Sequence, residues 1–205
     1  MPHVIALLAE KGGSGKSTIA TNLAWALHEE RRTLLVDADP QQTALDWSSI
    51  SEEGPPTVKV GDGSVSDIPR IASDYEYVVL DGAPRLTDLT KQAARTADLV
   101  VIPVHPSAAD IWSSEAVVQL CERFGTDVVF CISRGIVGST LTDSAREALE
   151  TFGVPVLEGT RQRVSYVRAL NTGSSVLDSD DEAAADEIRQ LASSIHRQID
   201  RQIDE

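Results

Sequence analysis

The sequence predicts an α/β fold in three layers, with a mostly parallel, twisted sheet flanked by helices on both faces. Three observations carry this. Short apolar runs alternate with stretches of helical periodicity along the whole chain, which is the pattern of strand–helix–strand crossovers. The runs are apolar at consecutive positions rather than at every second one, as expected of strands covered on both faces. The 205 residues are 41% hydrophobic but only 4% aromatic, so the core is aliphatic. A chain of this length can bury a full core as one domain over residues 1–205.

The first strand covers residues 4–9, Val4-Ile5-Ala6-Leu7-Leu8-Ala9, and helical periodicity follows over 16–30. A second apolar strand, 33–39, ends in two carboxylates before Pro40, and helical sequence occupies 41–49. Residues 51–66, with Gly54-Pro55-Pro56 and Gly61-Asp62-Gly63, predict an irregular connection holding at most one short strand near 58–60. A brief helix over 65–72 leads to a strand at 77–81. Then come a helix at 86–96, a strand at 99–104, a helix at 108–124, a strand at 128–132, a helix at 142–151 and a last strand at 154–157. The C-terminal helix is expected over about 180–203, with Ile188, Leu191, Ile195, Ile199 and Ile203 on one stripe that packs on the core.

Between the first strand and the first helix lies Glu10-Lys11-Gly12-Gly13-Ser14-Gly15-Lys16-Ser17-Thr18. A glycine-rich turn from a strand into a helix aims backbone N–H groups and the positive helix end at one point, which suits a polyphosphate. Gly12 to Thr18 therefore form a phosphate-binding P-loop in a Rossmann-like nucleoside triphosphatase. Lys16 reaches the β- and γ-phosphates, and the Ser17 hydroxyl is a ligand of Mg²⁺. Asp81, followed by Gly82, closes a run of four apolar residues at a strand end. After a P-loop this placement fits a carboxylate that holds the same Mg²⁺. No set of His, Cys or acidic residues has transition-metal spacing, and nothing resembles a catalytic triad.

The loop departs from the ordinary P-loop form, with Glu10 where a glycine is usual and an extra lysine at Lys11. K-G-G-x-G-K-[ST] resembles instead the deviant P-loop of the ParA/MinD superfamily of ATPases. Asp37-Ala38-Asp39-Pro40-Gln41 is similar to that family's D-x-D-P-Q, and Ile102-Pro103-Val104-His105-Pro106-Ser107 to its I-P-V-x-P-S. The compact length, with no helix-turn-helix region before the P-loop, looks like the small plasmid-partition ATPases of the ParF type. The resemblance implies that Lys11 crosses a dimer interface to the partner's nucleotide, that Asp39 orients the attacking water, and that Asp37 supports the Mg²⁺ shell. It implies ATP/ADP with Mg²⁺ as cofactors, an ATP-dependent homodimer, slow hydrolysis stimulated by a ParB-like centromere-binding or adaptor protein, and nonspecific DNA binding. The function expected is partition or positioning of DNA or another large cargo; the alternative is a MinD-like spatial regulator acting at a membrane or on a protein. Pro84-Arg85-Leu86-Thr87 stands in the position of a loop that senses the γ-phosphate.

Residues 160–177 hold Arg161, Arg163 and Arg168 and no acid. This is either the DNA-facing patch of a dimer, through Arg161, Arg163 and Arg168, or a loop that holds the nucleotide base, with Arg161 as a nucleotide contact. The chain as a whole, at net charge −14, argues against general affinity for nucleic acid or anionic membrane. Its abundance of acid and scarcity of lysine resemble the proteins of salt-accumulating halophiles. Cys121 and Cys131 lie in apolar runs with no metal-ligand spacing and read as buried thiols of a reducing compartment. Neither a signal sequence nor a membrane-spanning run is apparent, so the expected location is cytoplasmic, on the nucleoid if DNA binds.

Overall fold

The computed structural model describes residues 1–60 and 65–203. Residues 61–64, with the expected Gly61-Asp62-Gly63 turn, the side chains of Gln202 and Ile203, and Asp204 and Glu205 lie outside what is described. Among the described residues the strands are β1 (His3–Ala9), β2 (Thr33–Asp37), β3 (Thr57–Lys59), β4 (Tyr77–Pro84), β5 (Leu99–Val104), β6 (Asp127–Ile132) and β7 (Val156–Leu157). They form one all-parallel sheet in the order β3-β2-β4-β1-β5-β6-β7. The helices are α1 (Lys16–His28), α2 (Thr43–Ser49), α3 (Ile68–Ile71), α4 (Asp88–Thr96), α5 (Ala108–Phe124), α6 (Thr140–Glu150), α7 (Val164–Thr172) and α8 (Glu182–Ile203).

Alternate residues of β1, β2, β4, β5 and β6 feed two cores. Val4, Ala6, Leu8, Val78, Leu80, Val100 and Ile102 face α4, α5 and α6 through Ala93, Val117, Cys121 and Leu149. Ile5, Leu7, Leu35, Val79 and Val101 face α1, α2 and α8 through Ile19, Leu23, Trp47, Leu191 and Ile195. Both sets are buried, which is why the strands read as continuous apolar runs. The chain builds from β1 to β2 on one side, returns to β4, and then crosses to β5 on the other side. Chain direction therefore reverses about β1, and the crevice at the C-terminal ends of β1, β4 and β5 is where such sheets bind ligands.

The predicted strands and helices recur, with three differences that have physical causes. β4 continues to Pro84, because its end pairs with the end of β1, Ala9 opposite Pro84 after a register shift. α2 starts at Thr43, because Gln42 takes a left-handed φ of 57° that a helix cannot contain. α7 is absent from the sequence-based expectation. It has only nine residues, stops at Gly173 with φ 66°, and buries only Tyr166 and Ala169, so it leaves no periodic stripe in the sequence.

Asn22 ties α1 to the segment before α8. Its Nδ2 donates to the Thr18 carbonyl at 2.7 Å, and its Oδ1 accepts from Ser175 Oγ and Val176 N, both at 2.9 Å. Asn22→Ala would orphan a buried N–H, so urea unfolding of that variant should show a loss of about 2 kcal/mol at unchanged slope.

Candidate functional site

The loop after β1 leaves the first turn of α1 open to an anion. Gly15 caps the helix with φ 95°, contributes no side chain to its N–H groups, and is followed by no acid in the first turn. A Cβ at Gly15 would collide with the Ser133 hydroxyl, and its φ is one that side-chain-bearing residues rarely adopt. The N–H groups that a capping side chain would otherwise take are thus left for a phosphate. The Ser14 hydroxyl is buried there without a partner among the described residues.

Around this cradle stand the predicted charged groups. Lys16 is 5% exposed. Burial lowers its pKa, while Asp81 and Asp39 beside it favour the charged form. Asp81 is fully buried, and neither of its carboxylate oxygens has a hydrogen-bond partner of normal geometry. Burial pushes its pKa up to about 7, against the opposing pull of the Ser17 hydroxyl and Lys16. A carboxylate held bare next to a hydroxyl and a phosphate cradle suits a hard divalent cation, so the residues present fit Mg²⁺, which Ser17 and Asp81 would hold. No group of three or more His, Cys, Asp or Glu side chains among the described residues could hold a metal by itself, in keeping with an ion that takes its other ligands from phosphate and water.

Asp37 and Asp39 differ although they are two residues apart. The Asp37 carboxylate accepts from the backbone N–H groups of Asp39 and Leu45, both at 2.9 Å. It holds the turn after β2 and the start of α2, and burial raises its pKa against these bonds. Among the described residues the Asp39 carboxylate accepts from Gln41 N alone, at 2.9 Å, and it faces a cleft of about 1040 Å³ lined by Lys11, Gln41, Pro84, Arg85 and Gln92. Arg85 has a left-handed φ of 70°. Its N–H donates to the Glu10 carbonyl at 2.9 Å and its carbonyl accepts from the Thr90 hydroxyl at 2.6 Å. The loop after Asp81 is thereby strapped, under local strain, to the phosphate loop. Lys11 sits on the rim of the cleft, 3.8 Å from Asp110 Oδ1.

On the other side of the phosphate loop a cleft of about 870 Å³ runs between α1 and α7, with Thr18, Ile19, Ile136, Arg161, Tyr166 and Val167 in its walls. Its size and apolar lining suit a nucleoside. Of the three arginines, Arg168 is exposed, whereas Arg163 donates to Glu187 at 2.7 Å and pairs with Asp181 at 3.5 Å. Glu187 also accepts from Arg161 N and the Tyr166 hydroxyl, both at 2.9 Å. The Arg161 guanidinium lies 3.6 Å from Glu158, so the acids missing from residues 160–177 are supplied by the neighbouring segments, and two of the three positive charges of that stretch are compensated in space. Sequence reasoning did not find Glu187, Asp110 or Ser133, since none stands in a motif with the loop it contacts. Cys121 and Cys131 are free and buried, and burial pushes both thiols up to about 12.

A glycine-rich strand-to-helix loop, a buried lysine, a hydroxyl and a bare carboxylate at the reversal point of a parallel sheet define a P-loop nucleotide-binding domain. The chain matches the CobQ/CobB/MinD/ParA nucleotide-binding domain over residues 5–176, and it belongs to this family, the ParA/MinD superfamily of P-loop ATPases. It is 32% identical over 199 residues to the maintenance of carboxysome distribution protein A of Halothiobacillus neapolitanus, covering 90% of this chain and 92% of that one. Apo McdA of Cyanothece has the same fold, with a TM-score of 0.83 at 15% identity over 95% of this chain and all of that one. So has the septum site-determining protein MinD of Pyrococcus horikoshii, solved with Mg-ADP, with a TM-score of 0.78 at 16% identity over 95% and 96% of the two chains. Among the described residues no helix is long and apolar enough to cross a membrane.

Proposed function

We propose that the protein is an ATP-driven positioning ATPase that binds ATP with Mg²⁺, closes into a homodimer around it, and hydrolyses it slowly until a partner protein accelerates the step. The observation that carries this reading is the split of the charged groups between two places. Lys16, Ser17 and Asp81 are gathered inside the chain's own phosphate cradle, while Lys11 stands outside it on an open rim. Lys16 and the loop amides hold the β- and γ-phosphates, and Mg²⁺ held by Ser17 and Asp81 supplies charge neutralisation at those oxygens. Asp39, at the cleft edge and with its carboxylate lightly engaged, orients the water that attacks the γ-phosphate. Lys11 reaches the nucleotide of a second copy.

The cargo is a large body, either DNA or a protein assembly of the kind that the Halothiobacillus relative's name mentions. The matrix is DNA bound without sequence preference, through Arg168 and whatever Arg161 and Arg163 contribute when their carboxylate partners yield. The adaptor is a ParB-like or McdA-partner-like protein. The apolar stripe of α8, Ile188, Leu191, Ile195 and Ile199, is buried in the core, so it offers no face to a membrane.

Sedimentation with ADP, with ATP and Mg²⁺, and with ATP, Mg²⁺ and DNA tests the reading. A dimer with ATP alone, and co-migration with DNA that fades as KCl rises, is the expected result. A dimer that ignores DNA but sediments with liposomes would replace it with the membrane-acting alternative. The absence of any dimer would sink the role assigned to Lys11.

A further inference from the structure

The contact between Lys11 and Asp110 joins two pieces of the chain with different freedom. Lys11 lies on the glycine-rich loop and its side chain is 42% exposed, against 21% for Asp110. Asp110 stands in the first turn of α5 and is held there twice, since its carboxylate accepts from the Ser107 hydroxyl and its N–H donates back to Ser107 Oγ at 3.2 Å. This reciprocal cap lies at the positive end of the helix, which stabilises the carboxylate whether or not a cation is near. α5 in turn is fixed to the sheet through Val117, Val118 and Cys121. Asp110 is thus an anion held at the helix end by its own bonds, and Lys11 a half-exposed cation held beside it by this one pair. When Lys11 leaves, Asp110 keeps its hydroxyl partner and the helix end, and the cost of separation is only that of the pair itself.

We propose that Asp110 is a positioning residue that parks Lys11 against its own chain and thereby sets how much nucleotide-bearing partner is needed to form the dimer. The proposal rests on the reading of Lys11 as the residue that crosses between copies. One ammonium then has two competing anions, the carboxylate in its own chain and the polyphosphate in the other. A partly exposed pair of this kind changes an equilibrium by about threefold, and because both chains must release a lysine, the dimer dissociation constant changes by about tenfold. The cost is the same for either nucleotide, so thresholds with ATP and ADP move by one factor and their ratio stays as it was.

Sedimentation velocity over a protein concentration series, with a saturating non-hydrolysable ATP analogue and Mg²⁺, reads this directly. Asp110→Asn keeps an acceptor for the cap and removes the charge, and its dimer should be about tenfold tighter than wild type. Asp110→Ser, which offers a neutral capping hydroxyl, should behave alike and covers the case in which the first variant folds poorly. Asp110→Glu should return towards the wild-type value. In a Lys11→Ala background the Asp110→Asn change should do nothing, because its whole effect passes through Lys11. An unchanged or weaker dimer in both neutral variants, or an equal gain in the Lys11→Ala background, overturns the parking role while leaving the crossing lysine in place. A Lys11→Ala protein that dimerises like wild type overturns both.

Discussion

Asp81→Asn, free of Mg²⁺ and nucleotide at pH 8, is expected to melt on the order of 10 °C above the wild-type chain. The carboxylate is fully buried with no hydrogen-bond partner of normal geometry, and burial pushes its pKa from 3.8 up to about 7. The folded chain therefore binds this proton more tightly than the unfolded chain does. Between those two values the folded form holds the proton and the unfolded form does not, so the group removes stability as pH rises through the window. Above it the full cost applies, on the order of 4 kcal/mol for this shift, which in a chain of this size corresponds to the melting change stated. An amide of the same shape carries no charge to desolvate. Melting curves at pH 5, 6, 7 and 8 check the sign. Wild type should lose stability across that range more steeply than the variant, in which the raised pKa of Asp37 still acts, and parallel pH profiles for the two proteins would rule out desolvation of Asp81 as the source of the difference. The same variant should lose the gain in melting temperature that Mg²⁺ with nucleotide is expected to confer on wild type, because the charge that destabilises the metal-free site is the one proposed to ligate the ion. Stability lost in the empty state is recovered on binding, which makes folding and nucleotide occupancy one linked equilibrium.

Most of the fold was legible in the sequence because the strands are buried on both faces. Val78, Val79 and Leu80 need no period to be recognised, and Gly12 to Lys16 mark the turn between β1 and α1 by composition alone. The site was legible to the same degree where it rests on contiguous residues, as with Lys16, Ser17 and the Asp81-Gly82 strand end. What stayed hidden depends on contacts between residues far apart in the chain. The arginines at 161 and 163 look unopposed in the sequence, yet the guanidinium of Arg161 lies 3.6 Å from Glu158 and that of Arg163 lies 2.7 Å from Glu187, more than twenty residues on. Asp37 and Asp39 close the same strand two residues apart, yet two backbone N–H groups occupy one of them and leave the other at the cleft, a difference that only the fold shows. Likewise α7 escapes a periodicity argument because only two of its side chains are buried. In each case a partner chosen by folding, not by sequence distance, decides what a charged or apolar residue does.

Asp39→Ala should separate nucleotide binding from hydrolysis. The side chain accepts one hydrogen bond, from Gln41 N, and contributes to no core cluster, so its loss costs the fold little. The phosphate cradle, Lys16, Ser17 and Asp81 all remain, and with them the affinity for ATP and Mg²⁺. What disappears is the carboxylate proposed to fix the attacking water at the cleft edge, and removal of a positioned base costs roughly 10²–10⁴-fold in kcat. The expected signature is therefore a steep fall in steady-state phosphate release, a nucleotide Kd within a fewfold of wild type, and dimers that persist after ATP is added once. Lys16→Ala should differ in kind. It withdraws the buried ammonium that favours the charged form of Asp81, so nucleotide affinity and turnover should fall together, and ATP should no longer produce dimers. Turnover within about threefold of wild type in Asp39→Ala would take the water-orienting role from this residue. If both variants lost binding equally, the division of the site into a holding half and a reacting half would have to be abandoned.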